Sequence, residues 1–163
     1  MGLFTLLAHL VYYLHIATLE EEDLQVLGNI PCLIDLSISV KEPTQGTKKK
    51  LVIGTGYRSP CLSKLMVICD TTLGVAFAPR AMEKLQTLDF SVCFKETIDD
   101  IGGLDFGLEN MCSLVEVIVH MKLTCKAAEA AIRGALDMNP KKPTLHFVAG
   151  GSHFFIGDTD TST

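Results

Sequence analysis

Six cations lie close together in an otherwise acidic chain, and their types and spacing suggest a binding chemistry. They are Lys41, Lys48, Lys49, Lys50, Arg58 and Lys64. Such a cluster attracts phosphate groups, because each cation near an anionic lipid surface adds about 1 kcal/mol. On a nucleic acid, the same cations displace counterions from the backbone. The cluster therefore predicts a peripheral membrane contact or an RNA contact, with solubilising charge on an exposed turn as the alternative.

Acidic residues are segregated from these cations along the sequence. One acidic run covers residues 20–23, and a second acidic, glycine-bearing stretch covers residues 96–110. The net charge of −5 and the pI near 5.5 argue against a generally basic nucleic-acid binder. Segregated charge is typical of surfaces that dock on a partner or assemble head to tail, so the pattern favours interaction over chemistry.

Catalytic motifs are absent from the sequence. The five histidines are scattered, and the serine hydrolase, zinc protease and phosphate-loop patterns are all missing. Gly54 and Gly56 begin a dinucleotide-type loop, but the third glycine is missing. We therefore expect no enzymatic activity, no cofactor and no metal. An enzyme remains the least favoured alternative, and it would gain support if a pocket brought His120 together with an acidic residue.

Six cysteines raise the question of disulfides. Cys69 and Cys93 lie inside hydrophobic runs, and no CxxC pair is present. Because a free cysteine behaves as a small buried hydrophobe, we expect six reduced thiols and a cytosolic or nuclear compartment.

The amino-terminal segment is strongly apolar. Leucines and a valine recur at helical spacing and predict a helix over residues 3–15, with a strand over residues 11–16 as the alternative. The segment is too short to span a bilayer, and no cation precedes it as a signal peptide requires. It is expected to serve as core, as subunit contact or as a membrane-surface segment. The candidates for self-association are Leu3, Phe4, Leu7, Leu10, Val11 and Leu14.

Alternating apolar and polar residues predict several strands. The clearest run covers residues 33–41, which we expect to pair antiparallel with residues 50–55. Other predicted strands cover residues 62–69, 88–94, 114–123, and a terminal hairpin of 145–149 with 153–156. Helices are predicted at 19–27, 80–87 and 125–138, the last one rich in alanine and capped by Thr124.

These elements predict an α+β fold. We expect a single compact domain over residues 1–157, with a mostly antiparallel sheet of six to eight strands and three or four helices on its faces. Residues 158–163 are expected to form a flexible tail. The sequence shows no evident internal repeat.

Two short segments resemble bornavirus matrix proteins. The first is Ser39-Val-Lys-Glu-Pro43, followed closely by Lys49-Lys-Leu51. The second is the run ending His120-Met-Lys-Leu123 with the alanine-rich helix after it. Such matrix proteins, like the related small domains of rhabdoviruses, are non-enzymatic, assemble with themselves beneath an envelope, and contact nucleocapsid and membrane. The resemblance implies that Lys41 and Lys48–Lys50 make the membrane or RNA contact.

The sequence thus leads us to expect a self-associating structural protein of matrix type, located in the cytoplasm or on the inner face of a virion envelope. Its expected partners are itself, a nucleoprotein or RNA, and an anionic membrane surface. A monomeric cytosolic adaptor or binding module is the main alternative.

Overall fold

The structure is a computed structural model that describes residues 10–17, 19–30, 33–40, 50–54, 60–69, 74–92, 105–121 and 125–149. Its strands are β1 Leu10–Ile16, β2 Leu33–Val40, β3 Lys50–Ile53, β4 Lys64–Cys69, β5 Gly74–Phe77, β6 Thr87–Val92, β7 Glu116–Met121 and β8 Thr144–Ala149. Its helices are α1 Glu21–Gly28, α2 Lys126–Met138 and a short 3-10 helix, Leu108–Asn110. None of these described helices is long and apolar enough to cross a membrane.

Six strands form one sheet in the order β1-β2-β4-β6-β7-β8. Every neighbouring pair in this sheet is parallel. A second sheet contains only β3 and β5, which are also parallel. Parallel neighbours cannot be joined by a tight turn, so the chain must cross over between them.

The crossovers form a second layer behind the six-stranded sheet. Between consecutive strands of that sheet the chain passes, in order, through α1, β3, β5, the 3-10 helix and α2. Successive crossover elements contact one another, as β3 does with α1 and β5, and as the 3-10 helix does with β5 and α2. The molecule is therefore a coil in which each turn contributes one strand to the main sheet.

A repeated apolar triplet fills the space between the two layers. Each triplet has the pattern Leu-x-x-apolar-x-apolar, enters a strand of the main sheet, and is almost completely buried. The four triplets are Leu33, Leu36, Ile38; Leu62, Leu65, Val67; Leu85, Leu88, Phe90; and Leu114, Val117, Val119. The strand register aligns their middle members, Leu36, Leu65, Leu88 and Val117, at intervals of 29, 23 and 29 residues. Each turn thus packs on the previous one through equivalent side chains.

Helix α2 forms because its apolar residues lie on one stripe. Ala128, Ile132 and Leu136 recur every four residues and are buried. On its exposed side Arg133 Nη2 lies 2.9 Å from Glu129 Oε1 one turn earlier. The Arg133 guanidinium also lies 5.0 Å above the ring of Phe147 in β8, which ties the helix to the last strand.

The prediction of a mostly antiparallel sheet is wrong. Strand β2 pairs in parallel with β1 and β4, and β3 belongs to the other sheet, so 33–41 and 50–55 form no hairpin. The structure describes two α-helices rather than three or four, and the fold is closer to α/β than to α+β. Strand β8, which covers the first half of the predicted terminal hairpin, pairs in parallel with β7. The second half, residues 153–156, lies outside the described part, so the hairpin stays a prediction.

Two predicted helices are also wrong within the described residues. Residues 10–16 form β1, because their alternation, with Tyr12, Leu14 and Ile16 in register with the core side of β2, prevails over the helical spacing. Residues 81–84 are turns and 87–92 are β6, and Arg80 and Met82 adopt positive φ angles of 63° and 48°, which no α-helix contains. Residues 1–9 and the predicted tail, 158–163, are not among the described residues.

None of the described cysteines forms a disulfide; these are Cys61, Cys69, Cys112 and Cys125. We expect that a thiol reagent, applied in denaturant and without reductant, titrates six thiols per chain. Oxidation-sensitive alkylation followed by mass measurement provides the same count independently. A count of four or fewer would show a disulfide and would contradict the expected reducing compartment.

Candidate functional site

One side of the six-stranded sheet faces away from the crossover layer, and we call it the open face. Along a strand, successive side chains point to opposite sides, so alternate residues of each strand belong to this face. In β2 these are Asp35, Ser37 and Ser39, which alternate with the buried Leu36 and Ile38. The open face is therefore built from residues that the core does not use.

The parallel register places open-face residues in three rows that run across the strands. The first row contains Val11, Asp35, Lys64, Thr87, Glu116 and Thr144. The second contains Tyr13, Ser37, Met66, Asp89, Ile118 and His146. The third includes His15, Ser39 and Ile68, and, farther across, Ser91, His120 and Val148. Neighbours in a row are separated by one strand spacing, about 4.8 Å.

Apolar side chains on this face are accessible at its β1 edge and in its centre. Tyr13 is 61% exposed and Val11 is 47% exposed. Met66 and Ile118 are partly exposed in the central row. Tyrosine and methionine are enriched in protein interfaces, where they supply contact area. The face therefore offers apolar contacts as well as charges.

Each carboxylate of the face lies beside a basic side chain of the next strand in the sheet. Lys64 Nζ lies 3.8 Å from Asp35 Oδ2. On the other half of the face, His120 Nε2 lies 2.8 Å from Asp89 Oδ1, and His146 Nε2 lies 3.5 Å from Glu116 Oε1. The pairs connect β2 with β4, β6 with β7, and β7 with β8, so contacts between acidic and basic side chains accompany the backbone ladder across the sheet.

Asp89 is the most deeply placed of these acids. Only 5% of the residue is exposed. Its Oδ1 is close to the imidazole of His120, but without the alignment of a hydrogen bond, and no other described group donates to it. Asp35 Oδ1 is likewise buried without a described donor. Burying a carboxylate without full hydrogen bonding costs stability, and the basic side chain beside each acid offsets part of that cost.

The hydroxyl of Ser91, the residue in register with His120, is already hydrogen-bonded to the backbone. Ser91 Oγ accepts a 2.6 Å hydrogen bond from the backbone N–H of Cys69 and donates a 3.0 Å one to its carbonyl. It continues the contact between β4 and β6 beyond the last paired residues. His120 and an acidic residue thus meet, but the enzyme alternative also required a deep pocket around them, so that alternative stays untested. The described residues contain no group of three or more ligands that could hold a metal.

Most of the sequence-predicted site residues lie outside the described part of the chain. Among the cations, Lys50 belongs to β3 and Lys64 to β4, and these strands are in different sheets. Lys64 faces Asp35 rather than an isolated basic patch. Among the self-association candidates, Val11 is exposed on the open face and Leu14 packs partly against the core. Lys41, Lys48, Lys49, Arg58, Leu3, Phe4 and Leu7 are not described, so the membrane, RNA and self-association contacts stay predictions.

Sequence reasoning missed Asp35, Asp89, Glu116 and His146 as members of one surface. Their positions in the strands were evident, but their proximity depends on the parallel order of the strands. The triplets of the core were the available signal, because leucine at fixed offsets before each strand is typical of a repeated structural unit. With that repeat identified, the rows of the open face follow from alignment of the strands.

Comparison with known proteins gives the same architecture. The sequence profile described as "Leucine-rich repeat region" matches residues 2–145, which is most of the chain. No curated protein and no solved structure matches the chain. The resemblance to bornavirus and rhabdovirus matrix proteins is therefore wrong, because the matched profile covers both segments on which it was based and does not describe a viral matrix family. Virion location and nucleocapsid binding lose their support with it. The chain belongs to the leucine-rich repeat region family.

Proposed function

We propose that this protein is a non-enzymatic binding module that holds a partner protein on the open face of its six-stranded sheet. The observation that carries the proposal is the open face itself, with three rows of side chains in register and apolar, acidic and basic groups within reach of one partner. Leucine-rich repeat regions generally act as protein-interaction modules, which supports the same role.

The geometry favours an extended or flat partner surface. Six parallel strands at about 4.8 Å spacing give a face roughly 24 Å across. Tyr13 marks one end and His146 the other. A bound segment that crosses the strands would meet a different side chain at every step, because successive repeats carry different residues at equivalent positions. Specificity would then come from the sequence of each repeat, while the core triplets keep the strands aligned.

The test is selection of 12-residue peptides from a random display library, followed by affinity measurement with soluble synthetic copies. A 12-residue extended peptide spans about 40 Å, enough to cross the face. We expect Tyr13→Ser or Ile118→Ser to weaken binding of the selected peptides about tenfold or more, because tyrosine and buried apolar contacts dominate binding energy.

Met138→Ser is the matched control, since Met138 is 77% exposed at the end of α2, in the crossover layer. It should leave the affinities unchanged. The proposal is wrong if the selected peptides bind wild type, Tyr13→Ser and Ile118→Ser equally, or if Met138→Ser alone removes binding. Circular dichroism of each variant checks that the protein is still folded, so that a loss of binding can be assigned to the changed side chain.

A further inference from the structure

Strand β1 is an edge strand of the six-stranded sheet, and its apolar side chains are exposed on both sides of the strand. On the open face, Val11 is 47% exposed and Tyr13 is 61% exposed. On the core side, Tyr12 is 41% exposed, although Leu36, its neighbour in register on β2, is only 2% exposed. The row of core side chains therefore ends at β1 with an aromatic ring that is only partly covered.

The two edges of the sheet differ in how they are protected. Strand β1, Leu10–Ile16, contains no Asp, Glu, Lys or Arg. At the opposite edge, Phe147 of β8 lies beneath the guanidinium of Arg133, whose side chain is 56% exposed. Charged side chains at an edge discourage pairing with another chain, whereas a long uncharged edge strand favours it. Of the two edges, β1 is therefore the one suited to pair with a further strand.

We propose that β1 pairs antiparallel with β1 of a second copy of this chain, about a two-fold axis that passes through Tyr13 perpendicular to the sheet. The sequence of β1 is compatible with its own reverse around that residue. On the open face, Tyr13 meets the partner's Tyr13. On the core side, Tyr12 meets the partner's Leu14, and such aromatic and aliphatic cross-strand pairs stabilise a sheet. The pairing is independent of the partner protein that the open face holds.

The antiparallel direction follows from the two different sides of the sheet. A two-fold axis perpendicular to the sheet keeps both open faces on one side and both cores on the other. Parallel pairing of two copies of β1 about a two-fold axis would turn one sheet over and place its polar open face beside the core of the other. Antiparallel pairing therefore joins like sides of the two sheets.

Charge favours the same direction. The acidic run at residues 20–23 follows the carboxyl end of β1. Antiparallel pairing places the two runs at opposite ends of the paired strands, about 20 Å or more apart for strands of this length. This separation exceeds the screening length of about 8 Å at physiological ionic strength. Repulsion between the acidic runs therefore does not oppose the contact.

A contact between β1 of one copy and β8 of another is the competing arrangement. It would place the half-exposed Arg133 side chain against the apolar edge of the next copy. Such a head-to-tail contact leaves one edge free after every addition and produces an open filament. The two-fold contact uses the same edge of both copies and closes after two, so we expect a dimer.

The first test is the mass of the full chain in solution, measured by sedimentation equilibrium over a wide concentration series. We expect wild type to form a dimer of twice 17.7 kDa. Tyr13→Lys places like charges opposite each other at the axis and should weaken dimerisation about tenfold or more. Val115→Lys is the matched control, because Val115 is 59% exposed and lies just before β7, away from β1. It should dimerise as wild type does.

The second test uses the pairing of Val11 with the partner's His15, which the axis requires. Within one chain these residues lie four positions apart on β1, about 13 Å, so their side chains do not contact each other. Val11→Lys and His15→Glu should each weaken dimerisation. The double variant forms two lysine–glutamate pairs across the axis and should dimerise about fivefold more tightly than either single variant.

Three results would overturn the two-fold contact. They are a wild-type monomer at every concentration, equal dimerisation of wild type and Tyr13→Lys, and a double variant that dimerises no more tightly than the single variants. A mass that keeps rising with concentration would also contradict it and would indicate head-to-tail assembly. Circular dichroism checks the folding of each variant, and if Tyr13→Lys fails to fold, the rescue at residues 11 and 15 decides.

Discussion

Replacing Gly107 by alanine is expected to lower the free energy of unfolding by roughly 3 kcal/mol or more. Gly107 has a φ of 68°, in the left-handed region that side chains disfavour. A Cβ at this position would lie 1.8 Å from the carbonyl oxygen of Phe77. The backbone of β5 cannot yield easily, because Phe77 N–H donates a 2.8 Å hydrogen bond to the carbonyl of Phe106.

Gly134→Ala is expected to have the opposite effect on the stability of the same protein. Gly134 lies on the exposed side of α2, and nothing lies within 4 Å of its added Cβ. This change should stabilise the protein by up to about 1 kcal/mol, since alanine is the better helix former. Urea unfolding of both variants measures the two effects. For Gly107→Ala we also expect a melting temperature roughly 6 to 12 °C lower. Equal stabilities for Gly107→Ala and wild type would show that β5 and the 3-10 helix do not approach as closely as described.

Much of the local structure could be predicted from the sequence. Residues 33–41, 62–69, 88–94 and 114–123 were predicted as strands from their alternation, and each overlaps a strand of the main sheet. The alanine-rich helix was predicted at 125–138 and is observed at Lys126–Met138. These elements are long and have a clear period, which is the strongest local signal in a sequence.

Strand direction could not be read from the same pattern. Alternation with one polar side is typical of antiparallel sheets, because parallel sheets are usually covered on both faces. Here a parallel sheet keeps one face open, since the crossover elements that the structure describes pack together on its other side. The repeat was hidden because its length changes from 29 to 23 residues and because Val117 replaces the middle leucine of the last triplet.

The candidate site was predictable only in part for the same reason. Lys64 was identified as a binding residue from its neighbours in sequence, but its contact, Asp35, lies on the preceding strand of the sheet. His120 was identified as the histidine that would matter if it met an acid, and it does meet Asp89. Which acid it meets depends on the parallel register of β6 and β7, which local sequence does not determine.

Asn139 joins the last crossover to the one before it through a fully buried side chain. Its Nδ2 donates to the carbonyls of Leu108 and Met111, at 2.8 and 3.0 Å, and its Oδ1 accepts from the N–H of Lys141 at 2.9 Å. The residue is 0% exposed. It therefore links the 3-10 helix to the end of α2 across 28 to 31 residues of sequence.

Asn139→Ala is expected to lower the free energy of unfolding by roughly 2 to 4 kcal/mol. The reason is that two buried carbonyls lose their hydrogen-bond donor at a site that solvent does not reach. Asn110→Ala is the matched control: the Asn110 side chain makes one long contact, 3.4 Å, to its neighbour Glu109, so its loss should cost under about 0.5 kcal/mol.

Asn139→Asp keeps the shape but removes the donor and places a carboxylate against two carbonyl oxygens. It should be at least as unstable as the alanine variant at pH 7. Protonation of that carboxyl restores one donor. The difference in unfolding free energy between Asn139→Asp and wild type should therefore shrink between pH 7 and pH 4. The difference between Asn139→Ala and wild type should stay constant. Urea unfolding at both pH values measures this difference. If the loss of unfolding free energy is the same at both pH values for both variants, the Asn139 side chain acts by packing rather than by donating hydrogen bonds.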